Sequence, residues 1–157
     1  AKALGARVLA TVAGVAEADL VRSLGADEVI DYQTEDVVAR TQELTGGKGV
    51  TCSMDCAGGE VAKQQAVRCT RPWGKIALVA VGGNLNVDAM KDLIGKQRTV
   101  IGSYTFSKVG MKECAHFIAN HGVEVDRLFT DHWRLDQAED AYRAFDAQSG
   151  GKGVFLF

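Results

Sequence analysis

Short apolar and β-branched runs alternate along the chain with stretches whose apolar residues recur at helical spacing. A strand at residues 75–81 is apolar almost without interruption, as expected of a strand that is covered on both faces. Strands separated by helices of this kind form a parallel sheet with helices on both sides. The pattern therefore predicts an α/β fold with a doubly wound parallel sheet. The predicted strands cover residues 8–12, 28–30, 50–54, 75–81 and 98–101, and the predicted helices cover residues 16–24, 34–44, 60–69 and 88–94.

The rhythm changes in the last third of the chain. A predicted helix at residues 109–120 stops at a glycine, Gly122, and a strand, a helix and a strand are predicted over residues 128–133, 136–147 and 154–157, with a Gly-Gly turn before the last strand. The predicted helix at 136–147 carries one apolar stripe at i, i+3, i+4 and i+7. We therefore predict two parts, residues 1–122 and a separate C-terminal segment, residues 123–157.

The start of the chain has the pattern of a βαβ unit that lacks its first strand. The first six residues fit the tail of a helix closed by Gly5, and residues 8–26 fit a strand, a small-residue turn and a helix. In a nucleotide-binding sheet, a strand and a Gly-rich turn precede that helix. Neither is in the sequence, so we expect an incomplete sheet.

Composition narrows the class of protein. Apolar residues make up 46% and charged residues 24%, which is typical of an ordered α/β domain. With a net charge of −2, the chain is expected to bind neither nucleic acid nor a membrane. Its four cysteines lack the spacing of a zinc site or a disulfide framework, which favours free thiols in the cytoplasm. His116 and His121 would lie on different faces of a helix, and we predict no metal ligand and no catalytic residue here.

Several short stretches, in this order, resemble the medium-chain dehydrogenase/reductase family, and within it the zinc-dependent alcohol and polyol dehydrogenases. They are ALGARV (3–8), LGADEVIDY (24–32), TGGKGV (45–50), DCAGG (55–59) and WRLDQAEDAY (133–142). The resemblance covers only the C-terminal half of such an enzyme. It implies a Rossmann-like domain at residues 1–122 and a segment at 123–157 that returns to a catalytic domain. The zinc ligands and the Gly-rich turn would then lie outside this chain.

The resemblance also implies an activity for the parent protein. It would transfer hydride between an alcohol and NAD(P), with zinc polarising the alcohol oxygen. The 157-residue chain alone would be inactive. A zinc-free, NADPH-dependent quinone or enone reductase is one alternative, and a stand-alone nucleotide-binding or dimerising module without catalysis is another. Members of this family pair through an edge strand, which predicts a homodimer through residues 98–101.

Candidate cofactor contacts come from the strand ends, because ligands of open parallel sheets lie at the carboxyl ends of the strands. The resemblance adds Tyr32 beside the adenosine, the 103–105 segment at the carboxamide and a lysine near the phosphates. Ordinary turn chemistry, a tyrosine packed over a strand end and a lysine capping a surface turn are the structural alternatives. The predicted cofactor-binding residues are Val12, Ala13, Gly14, Tyr32, Cys56, Ala57, Val79, Ala80, Val81, Ser103, Tyr104, Thr105 and Lys152.

The choice between NAD and NADP depends on the turn after the first strand. NAD-specific members carry an acidic residue at the end of that strand, whereas Val12 stands there in this chain. The TVAG stretch at 11–14 is closer to NADPH-using quinone oxidoreductases, which favours NADP(H). Gly14 and Glu17 depart from that pattern, because they stand where it has a hydroxyl and a lysine, and a glutamate repels a phosphate.

Overall fold

The computed structural model describes residues 1–147 and 152–157. The chain forms two compact units, Ala1–Thr105 and Phe106–Phe157. Within the described residues, no helix combines the length and the apolar composition needed to cross a membrane.

The first unit alternates strands and helices, as the hydrophobic pattern predicts. A 3-10 turn at Lys2–Leu4 ends at Gly5, whose φ of 75° confirms the predicted glycine cap. The elements that follow are β1 (Leu9–Val12), α1 (Val15–Ser23), β2 (Glu28–Asp31), α2 (Val37–Leu44), β3 (Val50–Asp55), α3 (Glu60–Cys69), β4 (Thr70–Leu78), a π-helical turn (Ala89–Leu93), a 3-10 turn (Ile94–Lys96) and β5 (Thr99–Gly102).

These strands form two parallel sheets. One is β1–β2, with Val12 opposite Asp31, and the other has the order β3–β4–β5. In the doubly wound order 3-2-1-4-5-6, β2 and β1 correspond to strands 3 and 2, and β3, β4 and β5 correspond to strands 4, 5 and 6. Within the described residues, the break between the two sheets therefore falls at the place that strand 1 holds in this order. The predicted fold, an incomplete Rossmann-like sheet, is confirmed.

One apolar core joins the two sheets. It forms around Ile30 of β2, Val37 of α2 and Cys69 of α3, with Val38, Leu44 and Val50 packed against it. Ile30 is only 1% exposed, Val37 4% and Cys69 6%, so these three side chains are removed from solvent. Other apolar side chains of the unit remain in solvent: Met54 on β3 is 64% exposed and Val15 on α1 is 76% exposed.

The observed boundaries of α2 and β4 differ from the predicted ones for reasons that the hydrogen bonds show. Helix α2 was predicted over residues 34–44, and this start is wrong: Asp36 is the N-cap, with its side-chain Oδ1 accepting from Ala39 N at 2.9 Å. Thr34 instead donates its backbone N–H to the Asp31 carbonyl, which ties residues 32–35 into a turn. Strand β4 was predicted over 75–81, but it begins at Thr70 and ends at Leu78, after which the next two N–H groups both donate to the Asp55 carbonyl.

The second unit contains a long helix and a small parallel sheet. Ser107 caps α4 by accepting from Gly110 N at 3.0 Å, and Gly122 ends the helix with a φ of 59°. The predicted Gly-Gly turn lies outside the described residues, and the predicted division after residue 122 stays a prediction. The elements are α4 (Lys108–His121), a 3-10 turn (Val125–Leu128), β6 (Phe129–Arg134), a 3-10 turn (Leu135–Gln137), α5 (Ala138–Asp146) and β7 (Lys152–Leu156), with β6 and β7 parallel.

Candidate cofactor-binding edge

The turns that follow β3 and β4 are tied together by one residue. Asp55 ends β3 and is only 3% exposed. Its side-chain Oδ1 accepts from the backbone N–H groups of Ala57 and Gly58, both at 3.1 Å. Its main-chain oxygen accepts from Val79 N at 3.1 Å and Ala80 N at 3.2 Å. Residues 55–59 and 79–83, here named the turn pair, therefore form one hydrogen-bonded structure that includes the predicted Cys56, Ala57, Val79, Ala80 and Val81.

A buried lysine holds the second half of the turn pair. Lys63 of α3 is 6% exposed, and its Nζ donates to the carbonyls of Gly82 and Gly83, the latter at 3.1 Å. Such charge-assisted bonds offset the cost of burying the ammonium group. Because α3 packs on β3, the lysine fixes the turn after β4 relative to the helix.

Two glycines set how closely the halves of the turn pair approach. Gly58 has a φ of 79°, and a Cβ placed there would lie 2.4 Å from the Val81 carbonyl oxygen. A Cβ on Gly83 would lie 2.6 Å from the Gly58 carbonyl oxygen. Only glycine fits both positions, and the turn pair is accordingly closed to a side chain at these two points.

One polar atom at this edge lacks a partner. Among the described residues, nothing donates a hydrogen bond to the buried Oδ2 of Asp55. Buried carboxylate oxygens are nearly always hydrogen-bonded, since an unpaired one is costly. Asp55 ends β3, next to the break in the sheet, so this oxygen fits an N–H or O–H donor that comes from outside the described residues.

The carboxyl end of the first sheet gathers the other group of predicted residues. Tyr32 donates its backbone N–H to the Val12 carbonyl at 3.1 Å, and its side chain is 54% exposed. Gly14 precedes α1 with a φ of 89°, and Ala13 donates its N–H to Glu17 Oε2 at 2.8 Å. The structure thus places Val12, Ala13, Gly14 and Tyr32 side by side.

The remaining predicted residues occupy separate positions. Ser103 donates its N–H to the Leu78 carbonyl at 2.9 Å, which puts the end of β5 beside the turn that follows β4. Tyr104 is 80% exposed, and Thr105 has a φ of 55°. Lys152 opens β7 in the second unit, opposite Phe129. The assignment of all these residues to a cofactor stays a prediction.

A family comparison decides the identity of the first unit. Residues 1–120 match the family described as zinc-binding dehydrogenase, which is more than half of the chain. The chain belongs to the zinc-binding dehydrogenases. Relatives and solved structures agree with this assignment, and the chain covers less than half the length of each of those described below.

The relatives of this zinc-binding dehydrogenase are much longer than the chain. An uncharacterized zinc-type alcohol dehydrogenase-like protein of Escherichia coli K12, YphC, is 31% identical over 124 residues, which are 79% of this chain and 35% of that protein. An L-threonine 3-dehydrogenase of Pyrococcus furiosus is 27% identical over 149 residues, 88% of this chain and 40% of that one. The solved alcohol dehydrogenase of Aeropyrum pernix superposes with a TM-score of 0.78 and 25% identity, over 96% of this chain and 42% of that chain.

Zinc does not fit the residues of this segment. None of the histidine, cysteine, aspartate and glutamate side chains within 1–147 and 152–157 form a group that would hold a metal ion. The cysteines are all free: Cys69 is buried, and Cys52, Cys56 and Cys114 are exposed. No zinc-dependent step is therefore assigned to this part of the dehydrogenase.

Residues outside the sequence-based list also build the site. Asp55 had no partner that the sequence could identify, although an aspartate followed by Cys-Ala-Gly is compatible with a side-chain-capped turn, in which the carboxylate accepts from the N–H two residues further on. Lys63 carried no signal, because its acceptors lie 19 and 20 residues further along the chain.

Proposed function

We propose that this segment binds and orients the nicotinamide cofactor of a zinc-type alcohol or polyol dehydrogenase. The parent polypeptide would transfer hydride between an alcohol and NAD(P), and the zinc would be held by residues outside this segment. The observation that carries the proposal is the turn pair, closed by Asp55 and Lys63 at the carboxyl edge of a parallel sheet. Membership of the zinc-binding dehydrogenase family supports it.

Each group of residues has a proposed role in holding the cofactor. The backbone of Cys56, Ala57 and residues 79–81 offers a flat, closely packed surface to the planar rings. Residues 12–14 and Tyr32 are proposed to contact the adenosine ribose, and residues 103–105 the carboxamide. Lys152, in the second unit, keeps its sequence-based assignment to the phosphates. The cofactor itself supplies the hydride acceptor.

The free edges of β1 and β3 fit one further parallel strand, which the parent polypeptide would supply. Central strand edges left open are unfavourable because their N–H and C=O groups are unpaired. The helix after that strand would hold the pyrophosphate at its N-terminus. We therefore expect this segment alone to be inactive and to bind the cofactor weakly at most.

The family match favours the zinc-type dehydrogenase over both alternatives, the zinc-free NADPH-dependent quinone or enone reductase and the stand-alone module. Two features give opposing indications on whether the cofactor is NAD(H) or NADP(H). The TVAG stretch at 11–14 favours NADP(H), whereas the Glu17 carboxylate bonded to Ala13 opposes a phosphate at that turn. The free cysteine thiols support a cytoplasmic location.

A homodimer through β5 is part of the proposal. The free edge of this strand carries Ile101, which is 44% exposed. Arg98 points elsewhere, since its guanidinium donates to the carbonyls of Asp92 and Thr70. We expect Ile101→Arg to convert a dimer of the parent protein into monomers in sedimentation velocity, whereas a wild type that is already monomeric at high concentration would contradict the dimer.

Protection of a thiol by the cofactor tests the proposed site. Cys56 is exposed in the turn pair, and Cys114 is exposed on α4 of the second unit. We expect NADH or NADPH to slow alkylation of Cys56 by N-ethylmaleimide in the parent protein and to leave Cys114 unchanged, as read by peptide mass spectrometry. Equal labelling of Cys56 with and without saturating cofactor would refute the assignment.

A further inference from the structure

The β1–α1 turn carries a carboxylate that is hydrogen-bonded to the backbone of the turn. Glu17 lies in the first turn of α1, and its Oε2 accepts the Ala13 backbone N–H at 2.8 Å. The side chain therefore folds back over the turn at the carboxyl end of β1. Within the described residues, its other oxygen, Oε1, takes part in no hydrogen bond and remains able to accept one.

The charges around this turn are negative or already paired. Asp31 lies opposite Val12, and among residues 1–147 and 152–157 its carboxylate accepts one hydrogen bond, from the Gln33 N–H at 3.0 Å. Arg40 is bound to two carboxylates: its Nε lies 3.4 Å from Glu35 and its NH1 lies 2.6 Å from Glu43. Hydrogen bonding to Glu43 raises the pKa of Arg40 above its ordinary value.

The other cations of these elements pair away from the turn. Lys2 binds Asp27 and Arg7 binds Glu28, both near the amino ends of β1 and β2. Arg22 binds Asp19 in the last turn of α1. Within the described part of the first sheet and its helices, these pairs leave no unpaired cation at the turn to receive a phosphate.

NAD and NADP differ at the 2′ position of the adenosine ribose, which is proposed to lie at this turn. The 2′-phosphate of NADP carries a charge of roughly −1.5 to −2 at neutral pH, as phosphate monoesters do. NAD has a ribose hydroxyl there, which donates a hydrogen bond to a carboxylate. A carboxylate at this turn attracts the hydroxyl and repels the phosphate.

We propose that Glu17 makes the site selective for NAD(H), by accepting a hydrogen bond from the adenosine ribose and excluding the 2′-phosphate. NAD-specific relatives carry an acidic residue at the end of the strand that corresponds to β1, and in this chain the Glu17 carboxylate on α1 would take that role. The inference rests on the proposed function, since it concerns the same cofactor. It reverses the preference for NADP(H) that the strand-end Val12 indicates.

Replacing the Glu17 carboxylate with an amide separates the effect of its negative charge from that of its hydrogen bond to Ala13. In Glu17→Gln, the side-chain oxygen still accepts the Ala13 N–H, but the negative charge is lost. Asp19→Asn is the matched control, because it removes the same charge from the same helix at a side chain that is 74% exposed and faces Arg22. The dissociation constants of NADH and NADPH are measured on the parent polypeptide by the fluorescence of the reduced nicotinamide.

The wild type is expected to bind NADH more tightly than NADPH. Glu17→Gln should reduce this preference by about tenfold, the effect of removing one charge near a phosphate in a partly solvated site, and Asp19→Asn should leave it unchanged. NADPH bound as tightly as NADH by the wild type, or an unchanged ratio in Glu17→Gln, would overturn the selectivity and leave cofactor binding intact. The wild-type ratio does not depend on the folding of any variant. Failure of both nucleotides to bind the wild type would overturn the proposed function and the selectivity together.

Discussion

Gly58 is the residue at which a single methyl group should disturb the turn pair most. Its φ of 79° lies in the left-handed region, and a Cβ would lie 2.4 Å from the Val81 carbonyl oxygen and 3.3 Å from the Ala80 Cβ. The nearest atom belongs to the backbone, so no side-chain rotation relieves the overlap. Gly58→Ala must therefore strain its own backbone and push residues 80 and 81 away.

The two costs give the size of the effect. Placing alanine in the left-handed region costs roughly 1–2 kcal/mol. Forcing an extra methyl group into closely packed structure costs about 1–3 kcal/mol. We expect a loss of about 2–5 kcal/mol in the free energy of unfolding, a large share of the roughly 5–15 kcal/mol that stabilises a typical protein.

The neighbouring glycine is a control for the same exchange. Gly59 has a φ of −71° and no atom within 4 Å of an added Cβ. As the N-cap of α3, it should lose under about 1 kcal/mol on conversion to alanine. Urea unfolding followed by circular dichroism compares the two variants with the wild type. Equal stabilities of Gly58→Ala and Gly59→Ala would refute the view that the turn pair is closed to a side chain.

Two further predictions concern ionisable groups. Burial raises the pKa of the Cys69 thiol. At pH 8 this cysteine should therefore react with Ellman's reagent more slowly than the exposed Cys52 and Cys114. A native protein whose thiols all react at one rate would contradict the buried position. The hydrogen bond from Lys2 holds the pKa of Asp27 below its ordinary value of 3.8, and the resulting stability is present at neutral pH and is lost as the pH falls through the lowered pKa. Asp27→Asn should therefore lower the free energy of unfolding at pH 7 and have less effect below pH 3.8, while an effect independent of pH would exclude this ion pair as its cause.

The parts of the fold that follow from local periodicity could be predicted from the sequence. Alternating strands and helices gave the parallel α/β arrangement, and the absence of a first strand predicted the break between β1 and β3. The rule that ligands lie at carboxyl strand ends selected residues that the structure does bring together, because their positions depend on strand order alone.

Features that depend on contacts between distant segments could not be predicted. Thr34 and Asp36 are both able to cap a helix, and the turn tied to the Asp31 carbonyl decides between them. Lys63 is one of many helix lysines until the chain returns with Gly82 and Gly83. The direction of the Glu17 side chain likewise follows from the shape of the turn and not from its position in the sequence.

Native mass spectrometry of the protein purified from its source tests the central claim most directly, since one spectrum reports polypeptide mass, bound metal and bound nucleotide. The account predicts a polypeptide at least about twice the 16.7 kDa of this chain, because the chain covers 35% of YphC and 42% of the Aeropyrum pernix enzyme. It also predicts that this polypeptide carries zinc and, after addition of NAD(H), one nicotinamide nucleotide per subunit. A protein that holds neither zinc nor a nicotinamide nucleotide, at any length, would contradict the account.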